Sequence, residues 1–278
     1  MTVAAWDPLI VAVAPNGARL TKTDHPAIPI APDELARTAA ECIEAGAAMI
    51  HLHVRDKDQR HTLDADAYKA AIAAVRREVG QRIVIQVTSE AVGIYKPDEQ
   101  MAMVRAVKPE AVSLAVREIV PDDASEKTAA EFLAWIAKEN ICPQYILYSD
   151  ADVRRFADLR ARGIVPGARP FVLYVLGRYT KGQVSAPTDL LPFLAAQDDA
   201  SVPWGMCAFG ARENACAVAS AALGGHVRVG FENNRLLPDG ATAPSNAASV
   251  ALVAAAARAM GRPTADADRA RAYLSPIG

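Results

Sequence analysis

The chain has no excess of charge of either sign. Its 30 Lys and Arg against 32 Asp and Glu leave a formal charge of −2, so neither nucleic acid nor an anionic membrane surface is an expected partner. No uninterrupted apolar run reaches the roughly 20 residues that a membrane span needs. The apolar N-terminal stretch MTVAAWDPLIVAVAP lacks a basic n-region and reads as a first strand rather than a signal peptide. Cysteine is scarce. Cys42, Cys142, Cys207 and Cys216 form no CxxC pair, and three of them lie in runs that read as buried helix or strand. They suit reduced core thiols in a cytoplasmic protein. There is no GxGxxG or P-loop fingerprint for a nucleotide.

What is present is an ordinary soluble mix, 51% apolar and 22% charged, over 278 residues. A chain of that size buries a large core without help from disulfide or metal. Eight Val/Ile/Leu-rich runs alternate with Ala-rich helical stretches. The runs are 9–14, 48–54, 82–88, 111–116, 141–147, 170–176, 202–208 and 226–231. Helices are expected from Pro32, over 65–79, from Pro97, and near 125–139, 151–162, 187–196, 211–223 and 245–260. Strands that never follow one another directly imply crossover connections and a parallel sheet. Eight such units in this length favour one (β/α)8 TIM barrel over an open doubly wound sheet. No linker or low-complexity segment divides the chain, so 1–278 reads as one domain. The tail 262–278 reads as a surface extension or a short extra helix.

The second run ends in His51-Leu52-His53-Val54-Arg55-Asp56. Strand side chains alternate between faces, so His51, His53 and Arg55 share one face. Leu52 and Val54 suit packing against helices, which turns both imidazoles toward the barrel mouth. Alone, the pair reads either as a metal half-site or as two hydrogen-bonded histidines lining a polar mouth. The last run, His226 through Glu232, turns Arg228 and Glu232 inward if Val227, Val229 and Phe231 pack outward. First and last strands of a barrel are neighbours, so the second and eighth lie about 10 Å apart, two strand spacings. His51, His53 and Glu232 then meet in a His2Glu site with open coordination positions, the form of a catalytic metal site. His226, at the start of its strand, reads as structural. His25 and His61, in loops, read as solvated or as neighbours of a site rather than ligands.

Three pieces carry a family resemblance: Gly17-Ala18 after the first strand, Ala45-Gly46-Ala47 through Asp56, and Gly224 through Asn234. Together they resemble the β-keto acid cleavage enzymes over nearly the whole chain. The resemblance implies a zinc-containing barrel, usually a homo-oligomer, a dimer or tetramer. It implies exchange of a β-keto acid with acetyl-CoA to give acetoacetate and a new acyl-CoA. Zinc, chelating the 3-oxo and carboxylate oxygens, would acidify C2. By this resemblance His51, His53 and Glu232 are the metal ligands, and Arg228 supports the catalytic carboxylate and steadies negative charge. Thr88 or Ser89, and more weakly Ser113, supply a hydroxyl near the substrate carboxylate.

Two departures from the family pattern bear on mechanism. The residue after the metal-binding Glu is Asn233, where the best-known member has the Asp assigned as base. An amide has no basic form in the useful pH range. Another base is then required: Glu90, Glu118 or Asp56, with Glu90 best placed because it follows Thr88-Ser89. A base on the substrate or a metal-bound hydroxide are the other options. The second departure is Arg19, where the family member acting on an amino-bearing substrate has Glu. A guanidinium suits a carboxylate, so the expected substrate is anionic, such as a 3-oxo dicarboxylate. The plainer reading makes Arg19 a solvated charge or a partner of Asp24.

Coenzyme A needs a phosphate site on the top face. Gly210 and Arg212, before a helix in the seventh loop, are candidates, with Gly177-Arg178 as a second contact. Two other functions stay open at this stage: a different metal-dependent lyase or hydrolase that needs no thioester, and a metal and metabolite binder that has lost its base.

Overall fold

In a computed structural model, which describes residues 6–274, the strands and helices alternate as the sequence requires. They are β1 (Val11–Val13), α1 (Pro32–Ala45), β2 (Met49–Leu52), β3 (Val54–Arg55), β4 (His61–Thr62), α2 (Ala65–Val79), β5 (Val84–Thr88), α3 (Pro97–Val107), β6 (Ala111–Ala115), α4 (Val116–Ile119) and α5 (Glu126–Lys138). Then follow β7 (Cys142–Leu147), α6 (Asp150–Ala161), β8 (Phe171–Leu176), α7 (Leu191–Ala196), β9 (Trp204–Ala208), α8 (Glu213–Ala222), β10 (His226–Val229), α9 (Asn246–Ala259) and α10 (Ala267–Leu274). Eight parallel strands close into a barrel in the order β1-β10-β9-β8-β7-β6-β5-β2. The fold is therefore the single (β/α)8 barrel that the alternating pattern implies.

Local chemistry sets the helix starts. Pro32 opens α1, and the Glu34 carboxylate accepts the backbone N–H groups of Ile30 and Ala31. Asp64 caps α2 by accepting from the N–H groups of Asp66 and Ala67. Such caps satisfy donors that a helix end leaves open. Outward strand residues, among them Val11, Val13, Ile50, Leu52, Ile85 and Val87, pack under the helices in one large apolar layer. β1 pairs with β10 through Val13 and Val229 and with β2 through Val13 and Ile50. That adjacency brings the ends of β2 and β10 to opposite sides of β1.

Three segments differ from expectation. The run 48–54 is not one strand: it breaks at His53, and the chain turns back through the β3–β4 hairpin, which pairs Arg55 with His61. The Asp56 carboxylate holds this turn by accepting the N–H groups of Asp58 and Arg60. The helix near 187–196 opens as a 3-10 turn over Pro187–Leu190 before α7. The tail expected at the surface folds instead across the barrel floor. Ala267, Ala270 and Leu274 of α10 pack on Ile10, Met49, Ala111 and Phe171. Arg262 is buried and donates to the carbonyl oxygens of Asp7, Ala221 and Gly225. Its last residues, 275–278, lie outside the described ones, as do residues 1–5 of the N-terminal stretch. The expectation of a short extra helix there is met by α10.

Candidate metal centre

His51, the penultimate residue of β2, faces into the barrel, and His53 follows at the break before the hairpin. Their Nε2 atoms lie 3.2 Å apart. Glu232, just past β10, brings Oε2 to 3.6 Å from His51 Nε2 and 3.5 Å from His53 Nε2. Tetrahedral zinc with bonds of about 2.1 Å sets its ligand atoms roughly 3.4 Å apart, so the three spacings suit a single cation. Among the described residues no other three His, Cys, Asp or Glu side chains converge in this way.

Unmet hydrogen-bonding supports the fit. Glu232 Oε2 is buried without a hydrogen-bond partner, an expensive state for a carboxylate oxygen unless a cation or donor meets it. Burial works to raise the Glu232 pKa, but Arg228 and the two imidazoles outweigh it and hold the carboxyl ionised. His51 Nδ1 faces Gln86 Oε1 at 2.7 Å, which leaves the Nε2 lone pair for the site. Burial first, then the charge of Arg228, keeps His51 well below its ordinary pKa and so neutral. A neutral imidazole, a second imidazole and a carboxylate form a donor set suited to zinc.

Arg228 is buried beneath this triad, donating to Glu232 Oε1 at 3.1 Å and to Cys207 Sγ at 3.3 Å. Gly17 makes room above it. Its φ is +59°, and a Cβ there would lie 2.6 Å from Glu232 Cγ, so only glycine fits this turn. Asn16 clamps His53 by accepting its N–H and donating to its carbonyl oxygen and to that of Pro29. Arg55 donates to the carbonyl oxygens of Asn16, Gly17 and Leu20.

The triad lies at the base of a cleft. Its inner end is lined by His51, Thr88, Glu90, Tyr148, Arg178, Phe209, Arg228 and Glu232. The outer end, a cavity of about 360 Å³, adds Arg19, Gly210, Asn233 and Arg235. Of the three candidate bases only Glu90 faces this space. Asp56 belongs to the hairpin turn, and Glu118 accepts from Ala91 N–H and Gln100 Nε2 away from the cleft. Burial raises the Glu90 pKa against the pull of His53. Its Oε1 sits 3.4 Å from Arg19 and 3.3 Å from Arg178.

The remaining expected residues divide. Thr88 lines the inner cleft and accepts Glu90 N–H at 3.0 Å. Ser89 is fully buried and donates to Ser113 O, while the Ser113 hydroxyl donates to Thr88 Oγ1 from behind. The Ser113 hydroxyl braces Thr88, and neither serine lines the cleft. Gly210 lines it, and its bare backbone admits the Gln183 carbonyl, which would lie 2.3 Å from a Cβ. Arg212 is exposed outside the lining, whereas Arg178 is inside it. Arg19 pairs with Glu90; Asp24 pairs with Arg235 instead. Asn233 is buried and donates to Glu213 Oε1 and Arg228 O. His25 is neither solvated nor at the site: it is buried, with Nε2 2.9 Å from Ala243 O. His226 accepts Ile10 N–H at the barrel floor, a structural role as expected.

A His2Glu triad under a polar cleft, at the C-terminal ends of barrel strands, defines a barrel enzyme with a candidate metal centre. The model of the beta-keto acid cleavage enzyme family matches residues 8–275. The chain belongs to that family. It is 30% identical over 272 residues to the 3-keto-5-aminohexanoate cleavage enzyme of Fusobacterium nucleatum, covering 96% of this chain and 97% of that one. It is 29% identical to the 3-oxoadipate:acetyl-CoA acetyltransferase of Cupriavidus necator, covering 96% and 94%. Among solved structures, apo ObcA superposes with a TM-score of 0.71 at 17% identity, over 90% of this chain. The present chain spans 65% of ObcA, and at that identity the likeness concerns the fold.

Proposed function

We propose that this chain is a zinc-dependent β-keto acid cleavage enzyme that takes an anionic β-keto acid and acetyl-CoA. The observation that carries the reading is the unpaired Glu232 Oε2 within 3.6 Å of two imidazole nitrogens, at the base of a cleft that also holds Glu90 and Arg178.

His51, His53 and Glu232 would hold the metal, which supplies Lewis acidity to the keto acid oxygens. Glu90 accepts the C2 proton. The C2 carbanion attacks the thioester carbonyl carbon of acetyl-CoA, and CoA thiolate leaves. The thiolate then attacks the original ketone carbon, and the C2–C3 bond breaks. The products are acyl-CoA and the enolate of acetoacetate, to which Glu90 returns the proton. Arg228 stays charged beside Glu232 and steadies negative charge as it develops. Thr88, braced by Ser113, orients the substrate carboxylate. Asn233 serves as a hydrogen-bonding group rather than a base.

Arg19 and Arg178 set the substrate charge. Both guanidiniums pair with Glu90. A carboxylate at the far end of a keto acid competes for Arg19 and leaves Glu90 less tied, so binding itself would free the base. The name of the Cupriavidus relative, whose substrate is a dicarboxylate, supports this reading. For coenzyme A, the outer cleft offers Arg178 and the turn at Gly210; exposed Arg212 lies at its edge.

No described helix is long and apolar enough to cross a membrane, and none of the four cysteines is paired. Both support a cytoplasmic enzyme; a homo-oligomer, dimer or tetramer, is the assembly that light scattering would test. The deciding experiment measures acetoacetate from acetyl-CoA and cationic, neutral and anionic β-keto acids, with metal-stripped and zinc-restored protein. Turnover that needs zinc and thioester, and prefers an anionic acid, supports the reading. Turnover without thioester would instead make the chain a metal-dependent lyase or hydrolase. Keto acid binding without turnover would make it a binder.

A further inference from the structure

We propose that His61, brought back beside His53 by the β3–β4 hairpin, is the positioning residue that fixes the tautomer of His53 for metal binding. The inference rests on the metal-centre reading above and concerns a histidine outside the ligand set.

His61 Nε2 lies 2.9 Å from the carbonyl oxygen of Glu90. A carbonyl oxygen only accepts, so Nε2 carries the ring proton and Nδ1 is bare. That Nδ1 sits 3.4 Å from Nδ1 of His53. Two bare nitrogens there would repel, and a cation at Nε2 would exclude a proton from that side, so with metal bound His53 would carry its proton on Nδ1 and donate it to His61. The Nε2 lone pair of His53 is thereby aimed at His51 Nε2 and Glu232 Oε2. The other ligand histidine has its own lock, since His51 Nδ1 faces Gln86 Oε1. His61 does for His53 what Gln86 does for His51.

Among the described residues no other acceptor is within hydrogen-bond distance of His53 Nδ1; Glu90 Oε2 is 4.0 Å away, beyond that distance. His51 Nε2 and Glu232 Oε2 face the other ring nitrogen, Nε2, where the cation would sit. His53 is fully buried and His61 nearly so, which limits water as a substitute. Because His61 takes the His53 proton, the Glu90 carboxylate is left for the cleft. Because His61 also grips the Glu90 carbonyl, one imidazole joins a metal ligand to the backbone of the proposed base. The hairpin explains how: Arg55 opposite His61 holds the loop after β1, and the Asp56 turn fixes the return.

The test compares wild type with His61→Asn and His61→Gln as metal-free proteins. Asn sets its side-chain oxygen where imidazole Nδ1 lies and keeps the acceptor. Gln places its amide one carbon further out, toward the Glu90 carbonyl, and loses that acceptor. Zinc affinity is read by competition with a chromophoric chelator, without keto acid or thioester. His61→Asn should bind zinc within about threefold of wild type, and His61→Gln about 10- to 100-fold more weakly. Thermal unfolding of the metal-free variants should coincide. In zinc-loaded wild type, ¹⁵N spectra should put the His53 proton on Nδ1. Equal affinity in all three proteins, equal loss in both variants, or an unprotonated His53 Nδ1 in the zinc-loaded protein would overturn the proposal. Wild type that fails to bind zinc would overturn the metal-centre reading itself, and the proposal with it.

Discussion

Asn233 directs its amide nitrogen to Glu213 Oε1, 3.1 Å away, and to the carbonyl oxygen of Arg228, 3.2 Å away. Glu213 is wholly buried at the start of α8 and also accepts the N–H of Gly230. The turn that carries Glu232 is thus held from behind by a carboxyl group. An aspartate at 233 would face Glu213 acid to acid, and two adjacent carboxylates resist ionising together. The amide at 233 and the buried acid at 213 are matched, which gives Asn233 a structural reason independent of catalysis.

That pairing has a pH signature. Burial pushes the Glu213 pKa up to about 8, against the hydrogen bonds from Asn233 and Gly230, while an unfolded glutamate titrates near about 4.3. A group with a raised folded pKa contributes fully below its unfolded value, and the contribution is lost as pH rises through the folded one. Wild type should therefore lose stability relative to Glu213→Gln between about pH 4.3 and 8, with a level difference above that. Gln keeps an acceptor for both donors. Thermal unfolding of the two proteins across this range checks it; parallel curves would remove the buried acid from the account.

Glu90→Gln should lower kcat by about 10²- to 10⁴-fold, the usual contribution of a general base. Zinc content should not change, because Glu90 is not a ligand. Glu118→Gln and Asp56→Asn should leave kcat close to wild type, since neither side chain lines the cleft. Steady-state kinetics with zinc-loaded protein tests all three. A larger loss in Glu118→Gln than in Glu90→Gln would move the base.

How far the site was legible depends on periodicity. His51 and Glu232 could be placed because strands alternate and because the first and last strands of a barrel are neighbours. His53 reaches the same site as His51 although the strand stops before it. The β3–β4 hairpin was not legible: strands of two residues fall below any periodic window, so His61 looked like a loop residue. Glu213 looked like ordinary acid in a first helical turn. The ion pairs of Glu90 with Arg19 and Arg178 join three separate loops, and nothing local in sequence marks them. That the tail helix seats on the barrel floor was not legible, because its apolar stripe is only Ala267, Ala270 and Leu274, with charged residues between.

Arg19→Glu should reverse substrate charge preference. Loss of a charge-assisted hydrogen bond of about 1.5–3 kcal/mol corresponds to roughly 10- to 100-fold in kcat/KM for a 3-oxo dicarboxylate. Cationic keto acids should gain relative to wild type. Because Arg178 still faces Glu90, kcat for neutral acids should move much less. An unchanged ranking of the substrate panel would return Arg19 to the role of a solvated loop charge that pairs with Glu90.

Arg262 tests whether the C-terminal segment belongs to the barrel. Its guanidinium is buried and donates to four backbone carbonyls at the barrel floor, from residues 7, 221, 224 and 225. Arg262→Met keeps the apolar stem but strips those carbonyls of their donor in a place water does not readily reach. Leaving a buried acceptor unsatisfied costs about 1–3 kcal/mol per group. Arg269, exposed on α10, gives the contrast: Arg269→Met should stay within about 0.5 kcal/mol of wild type. Urea unfolding of both variants separates the cases. A tail that merely lay on the surface would make the two substitutions equally mild, whereas a tail that closes the barrel makes the first severe and leaves the second silent.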